Sequence, residues 1–349
     1  MKTKKLFFEK KKTVRIHEET LPPPGPEEVL VQTKYSAISA GTEMLFYRNN
    51  FHEGMPKDIT LKSLSGEMEY PIHYGYALVG KVVAVGEFAD TRLLNKSVFL
   101  FHPHQSHIVV PQNEVYPIPP DMEERDAIFL PNMETAVGFV MDARPIIGEN
   151  VVIFGQGVVG LLTTSILSKY PLGQLIVVEP LEKRRHFARI LGATQTVDPV
   201  LKSFTGKINT YLKSNSSKSE QYDGADLIFE LSGNPEVFNT AISIAGYSSR
   251  IILGSWYGQK KALLDLGDRF HRNRLQIISS QVSTIHPNLR GRWTKKRRLE
   301  VVWGWLKEIN PSRLISHQIP ISEAQSAYEL LDKKPEEVLQ VVLNYEGSG

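Results

Sequence analysis

The chain of 349 residues contains no cysteine. That excludes disulfides, thiolate-held metal and a cysteine nucleophile, and it suits a reducing cytoplasm, the expected location. No apolar run approaches the roughly 18 residues that span a bilayer. The N-terminus, MKTKKLFFEKKKTV, carries lysines without a long apolar stretch. It reads as a solvated strand edge rather than a signal peptide or membrane anchor. An excess of one charge is also missing. The 41 Lys and Arg against 38 Asp and Glu leave +3, too little for a basic surface over the whole protein, so nucleic acid is not an expected partner. Internal repeats and low-complexity linkers are absent as well.

What is present is a hydrophobic fraction of 41% over a length that suggests two domains. Residues 1–120 read as short strands broken by turns. Val29–Tyr35 follows the turn-rich Pro22–Pro26, and Ala77–Val85, Val98–Phe101 and His107–Val110 are further strands. The texture then changes. Asp126–Ala143 has helical spacing, and from Asn150 strands alternate with helices: Val151–Phe154, a helix from Val158, Leu175–Glu179, Arg184–Leu191, Leu227–Leu231, Val237–Ala245 and Arg250–Leu253. Such alternation predicts a parallel sheet covered on both faces. A helix, Ser322–Asp332, and a strand, Val338–Leu343, close the chain.

The strongest motif is Val151-Val152-Ile153-Phe154-Gly155-Gln156-Gly157-Val158-Val159-Gly160, a strand running through G-x-G-x-x-G into a helix. Gly155 permits the tight turn, Gly157 lets backbone approach a diphosphate, and Gly160 lets helix and strand pack closely. The helix start offers free N–H groups to phosphates. The next strand ends at Glu179, where an acidic residue would meet ribose hydroxyls. Its charge opposes the 2′-phosphate of NADP, so NAD is the expected cofactor. Lys183, Arg184 and Arg185 follow closely enough to accommodate NADP, or form a solvated helix face. Ser232-Gly233 and Gly254-Ser255-Trp256 end two later strands, where ligands of such sheets collect.

Together these features resemble the medium-chain dehydrogenase/reductase superfamily along nearly the whole chain. Ala40-Gly41-Thr42-Glu43 is similar to that family's Cys-Gly-Thr-Asp segment, and Tyr70–Gly80 to its Pro…Gly-His-Glu…Gly segment; Gly192-Ala193 and Ser322-Glu323-Ala324 match too. The resemblance implies a Rossmann doubly wound parallel sheet over 126–285 plus a β-rich, GroES-like catalytic domain over 1–125 completed by 286–349. It implies an NAD(P)-dependent enzyme of homo-oligomeric build that acts on a small molecule in an interdomain cleft. Zinc members carry Cys where this chain has Ala40 and His where it has Tyr76, and their third ligand falls near Pro131. Ala and Pro cannot ligate zinc and neutral Tyr is a poor ligand. The four-Cys structural lobe is missing between Phe101 and His107. No zinc is therefore expected. Within the superfamily, Ser36–Glu43, Gly75-Tyr76 and Leu253–Tyr257 resemble the bacteriochlorophyllide a dehydrogenase-like group, which is thought to oxidise a hydroxyethyl side chain.

Without zinc, hydroxyl or imidazole donors must hold the substrate oxygen. The resemblance puts Thr42 at the proton-relay position and Tyr76 at a former ligand position, and His104 is a candidate acid. Alternatively, Thr42 caps a helix at Met44–Arg48, Tyr76 is a packed aromatic, and Glu43 orients Thr42 or serves the helix N-terminus. His102, His104 and His107 form H-x-H-x-x-H, a weak metal pattern. The run Arg290–Arg298 holds six positive charges in nine residues; it is a charged helix face or a contact for an anionic substrate. The expected reaction is hydride transfer with a secondary alcohol or ketone. The alternatives are reduction of an activated double bond, or nucleotide binding without turnover.

Overall fold

A computed structural model describes residues 1–213 and 223–345 of the chain. It divides into two compact units, Met1–Pro131 with Trp303–Gly349, and Asn132–Val302.

In the first unit, β1 (Lys2–Lys10) and β2 (Thr13–Thr20) form a hairpin that β4 (Ile72–His73) extends to three strands. The larger sheet contains β3 (Glu28–Ala37), β5 (Leu78–Val85), β6 (Ser97–Leu100), β7 (His107–Pro111), β8 (Tyr116–Pro117), β15 (Ile315–Pro320) and β16 (Gln340–Asn344), antiparallel throughout except for the parallel β15–β16 pair. The alternation of β1 explains its placement. Leu6 and Phe8 are fully buried, while Phe7 between them, on the opposite face, is only partly covered. Leu6, Phe8, Ile38, Phe46, Tyr74 and Tyr328 share one core. This unit also carries α1 (Ala40–Arg48), α2 (Glu124–Ala127) and α9 (Ala324–Lys333). The expected single helix over 126–143 is two, because α3 (Leu130–Ala143) restarts with Pro131 in its first turn, where a missing N–H costs nothing. Likewise the helix expected from Met44 begins at Ala40.

The second unit is a six-stranded sheet in the order β11-β10-β9-β12-β13-β14, every neighbour parallel. Its strands are β9 (Asn150–Phe154), β10 (Gln174–Val178), β11 (Gln195–Val197), β12 (Ala225–Glu230), β13 (Ala245–Leu253) and β14 (Gln276–Ser279). This is the Rossmann order, with the switch at the carboxyl end of the central β9. All five residues of β9 are buried, as a parallel strand covered on both faces requires. The connecting helices are α4 (Val158–Leu167), α5 (Glu182–Ile190), α6 (Phe204–Lys213) and α7 (Val237–Ile244); α8 (Lys295–Ile309) follows β14. Helix α4 is buried from Gly160 through Leu167, so it is apolar nearly all round.

The basic run does not make one charged face. Arg290 to Thr294 precede α8. Arg297 stacks on Trp293 at 4.2 Å and donates to the Arg292 carbonyl. Arg298 is buried, paired with buried Glu134 at 2.6 Å and bonded to the Val282 carbonyl.

Candidate active site

At the switch point the glycines of the turn do different work. Gly155 has φ +90°, and a Cβ there would stand 2.6 Å from the Leu231 carbonyl oxygen. A Cβ on Gly160 would stand 2.2 Å from the Gly155 carbonyl oxygen. Both positions are closed by backbone, which does not yield. Gly157 is different: nothing lies within 4 Å of a Cβ built on it, and it begins α4 without any side-chain cap. The helix start at Val158 and Val159 is therefore open to an anion. Beneath it, buried Gln156 donates through Nε2 to the Gly155 carbonyl and accepts from Thr164 Oγ1.

Glu179 is only 3% exposed. Its Oε2 accepts from the Gln156 N–H at 2.7 Å and its Oε1 from the Leu181 N–H at 3.0 Å. One carboxylate thus joins the glycine turn to the turn after β10. Of the basic residues that follow, Arg185 meets the backbone here and not the carboxylate. Arg185 donates to the Glu179 and Pro180 carbonyls and pairs with Glu182 and Asp198.

The two later strand ends meet the same turn. A Cβ on Gly155 would also touch Ser232 Cα at 2.6 Å. The Gly233 N–H donates to Ser255 Oγ at 2.9 Å, and Gly254 donates to the Glu230 carbonyl at 3.1 Å. Trp256 follows, 38% exposed. Glu230 was not anticipated from sequence. Fully buried, it accepts from the Ser232 N–H and hydroxyl and from Tyr257 Oη at 2.6 Å. Burial first, and then the Glu230 charge, push the Tyr257 phenol far up.

In the first unit, Ser39 is the residue before α1, yet its hydroxyl caps nothing. It bonds instead to Tyr76 Oη, which also lies 3.4 Å from Thr42 Oγ1. Ser39, Tyr76 and Thr42 form a line of three hydroxyls, each half-buried. Thr42 therefore does not cap a helix. Burial pushes the Tyr76 phenol up, and the Glu43 and Asp58 charges add to that; the Ser39 and Thr42 hydrogen bonds pull the other way. The phenol stays protonated at neutral pH and is available as a donor.

His104 is fully buried, with Nδ1 2.7 Å from Ser36 Oγ and Nε2 3.0 Å from Glu43 Oε2. Both ring nitrogens are occupied, so the ring is committed to the protein rather than to a substrate. Glu43, also fully buried, accepts from the Ser39 N–H at 2.7 Å and from Tyr328 Oη. It neither bonds Thr42 nor serves the helix start by charge alone.

The three histidines of H-x-H-x-x-H do not converge. His102 and His104 lie in the loop between β6 and β7, where strand alternation does not apply. His102 faces His73 at 6.4 Å between ring centres, and His107 turns to Ser106 Oγ. Among the described residues no group of three or more His, Cys, Asp or Glu side chains could hold one metal ion. Ala40 carries no donor atom and burial keeps the Tyr76 phenol protonated, so neither of these side chains offers zinc a good ligand.

His73 and His102 carry a pH dependence of their own. Burial pulls His73 down to about 3, with the His102 and Lys5 charges adding to it, and pulls His102 down to about 4. Both are neutral in the folded chain and protonate near 6.5 when unfolded. Their contribution is complete above pH 6.5 and is lost as the pH falls toward the folded values. Melting temperature is expected to drop between pH 6.5 and 4.5 with uptake of up to about two protons on unfolding. In His73→Gln/His102→Gln that slope should shrink; an unchanged slope would refute the assignment.

The chain is similar to known proteins in sequence and in fold. Residues 158–295 match the family model described as zinc-binding dehydrogenase. L-threonine 3-dehydrogenase of Coxiella burnetii (strain Dugway 5J108-111) is 23% identical, covering 95% of this chain and 96% of its own. D-guloside 3-dehydrogenase of Escherichia coli (strain K12) is 23% identical over 78% of this chain and 77% of its own. Among solved structures, a short chain alcohol dehydrogenase (rspB) from E. coli CFT073, complexed with NADH, superposes with a TM-score of 0.77 at 19% identity. The likeness covers 99% of both chains and establishes the fold. No helix among the described residues is long and apolar enough to cross a membrane.

Proposed function

We propose that this chain, whose residues 158–295 match the zinc-binding dehydrogenase model, is an NAD(P)-dependent oxidoreductase that works without zinc. Its substrate is a small secondary alcohol or the matching ketone, whose oxygen is held by hydroxyl groups. The observation that carries this reading is the Ser39–Tyr76–Thr42 line of hydroxyls.

The diphosphate of the cofactor is assigned to the N–H groups of Gln156 to Gly160, its adenosine ribose to Glu179 with Ser232 and Gly233 on the adenosine side, and its nicotinamide to Gly254, Ser255 and Trp256. When bound, the nicotinamide accepts or supplies the hydride. The protein's part is electrostatic. Tyr76 Oη and Thr42 Oγ1 donate to the substrate oxygen, stabilising the charge that grows on it. In reduction one of them gives that oxygen a proton and is refilled through the Ser39 hydroxyl; in oxidation the proton returns the same way.

NAD is the preferred nucleotide in this reading, because the fixed Glu179 carboxylate opposes a 2′-phosphate. Glu179→Gln keeps an acceptor but removes the charge. It is expected to raise NADPH affinity relative to NADH by about tenfold. An unchanged ratio would assign nucleotide choice to other residues.

The reaction is tested by screening secondary alcohols with NAD⁺ and enones with NADH and NADPH. Turnover of alcohols supports the reading, and turnover of enones alone would make the chain a double-bond reductase. Binding of nucleotide without turnover of either would leave a sensor or structural role. The likeness of Ser36–Glu43 and Leu253–Tyr257 to the bacteriochlorophyllide-type group makes a 1-hydroxyethyl substituent a sensible first alcohol to try.

A further inference from the structure

The fully buried polar cluster beside the hydroxyl line is drawn from five separate stretches: Ser36 of β3, Glu43 of α1, His104 of the loop before β7, Tyr328 of α9, and Tyr345 just after β16. Its bonds admit one self-consistent direction. The Glu43 carboxylate can only accept, and three donors face it: the Ser39 N–H, Tyr328 Oη and His104 Nε2. His104 must then carry its hydrogen on Nε2, since a bare Nε2 would set its lone pair against a carboxylate oxygen 3.0 Å away. Nδ1, 2.7 Å from Ser36 Oγ, accepts the Ser36 hydroxyl, and Ser36 Oγ accepts from Tyr345 Oη, also at 2.7 Å. A doubly protonated His104 would donate to Ser36 Oγ as well, and one hydroxyl hydrogen, of fully buried Ser36 or of Tyr345 at 6% exposure, would then have no acceptor in the cluster. Every donor therefore points toward Glu43, and the cluster holds one negative charge.

The same cluster fixes the Ser39 backbone and packs against Gly75, the residue before Tyr76. Glu43 holds the N–H of Ser39, whose hydroxyl bonds Tyr76. His104 packs under Gly75, where a Cβ would fall 2.8 Å from His104 Cδ2 and where φ is +125°.

We propose that Glu43 is a positioning residue. It gathers a one-directional hydrogen-bond chain through neutral His104, Ser36 and the two C-terminal tyrosines, and so holds Ser39 and Tyr76 in place with Tyr76 as a donor. The proposal rests on the reading of Tyr76 as the group that meets the substrate oxygen. Its physical content is that a single buried carboxylate does the orienting here that metal–ligand bonds would otherwise do. The Glu43 charge also opposes ionisation of Tyr76, after the larger effect of burial.

Nuclear magnetic resonance of the full chain, labelled at histidine and tyrosine, tests this without any substrate. His104 is expected as the Nε2–H tautomer. In Glu43→Gln the amide N–H₂ faces Nε2, so His104 should move to the Nδ1–H form. The ionisation midpoint of Tyr76, identified by its loss in Tyr76→Phe, should fall by about one pH unit. A role confined to packing would move neither. The opposite tautomer in the unsubstituted chain, or a folded Glu43→Gln in which either signal stays put, would overturn the proposal. If Glu43→Gln does not fold, Glu43→Asp is read instead. The shorter arm should release His104 into mixed tautomers, and an unchanged tautomer refutes the proposal. Because these spectra need no turnover, an inactive chain with the expected tautomer would sink only the functional reading. An active, Tyr76-dependent chain with the opposite His104 tautomer would sink only this inference.

Discussion

Replacing Gly157 by valine is expected to leave the melting temperature unchanged while weakening NADH binding by about 100-fold or more. The backbone there has φ −63° and ψ 179°, which any residue adopts, and an added Cβ meets nothing within 4 Å. The folded chain has no reason to object to valine at that position. The diphosphate does, because the space beside Gly157 is where it must approach the helix start. Filling it costs about 3 kcal/mol by the usual penalty for overpacking, equivalent to about two decades in affinity. Gly155 and Gly160 should behave oppositely. Alanine at either drives Cβ into a backbone carbonyl, at 2.6 Å and 2.2 Å, so stability falls before binding can be measured. Calorimetric titration beside thermal melting separates the two cases. Normal NADH affinity in Gly157→Val would show that the nucleotide does not use this turn.

Tyr76→Phe is expected to lower kcat by about 10²- to 10³-fold, the usual cost of removing one preorganised donor from a developing oxyanion. NADH affinity should stay as it was. The ring fills the same volume, so its edge-on contact with Tyr74 at 6.0 Å survives; only the hydroxyl goes. Thr42→Val removes a donor 3.4 Å from that oxygen and should cost less alone. The two losses should not add, because both hydroxyls serve one oxygen and share Tyr76 Oη as a hydrogen-bond partner. Steady-state kinetics on the alcohol found by screening, with NADH titration as the control, gives both numbers. Full activity in Tyr76→Phe would move the substrate oxygen elsewhere.

The nucleotide-binding sheet was legible because its signals are local. The apolar run Val151–Phe154 of β9, three glycines at fixed spacing and Glu179 lie within 30 residues of one another, and each has a physical requirement that few other residues meet. The same locality explains the errors. His104 reads as a free acid when its sequence neighbours are two more histidines. Its real partners, Ser36 and Glu43, are 68 and 61 positions away, and Tyr328 reaches Glu43 from 285 positions away. Arg298 reads as part of a basic run because Glu134, which neutralises it, is 164 positions distant. Helix α1 was read too short because it opens with Gly41 and Thr42, poor helix formers whose place is set by tertiary bonds. Ser39 escaped notice although the segment holding it was singled out. A serine before a helix reads as a cap, and here the hydroxyl is turned to Tyr76 instead.

The account stands most directly on catalysis by side-chain hydroxyls in place of a metal. Metal analysis of the purified chain, together with its turnover after exhaustive chelation, addresses this in one preparation. Zinc far below one atom per chain and an undiminished rate are the predicted result. Stoichiometric zinc, with activity lost on chelation and restored by adding the ion back, would contradict it.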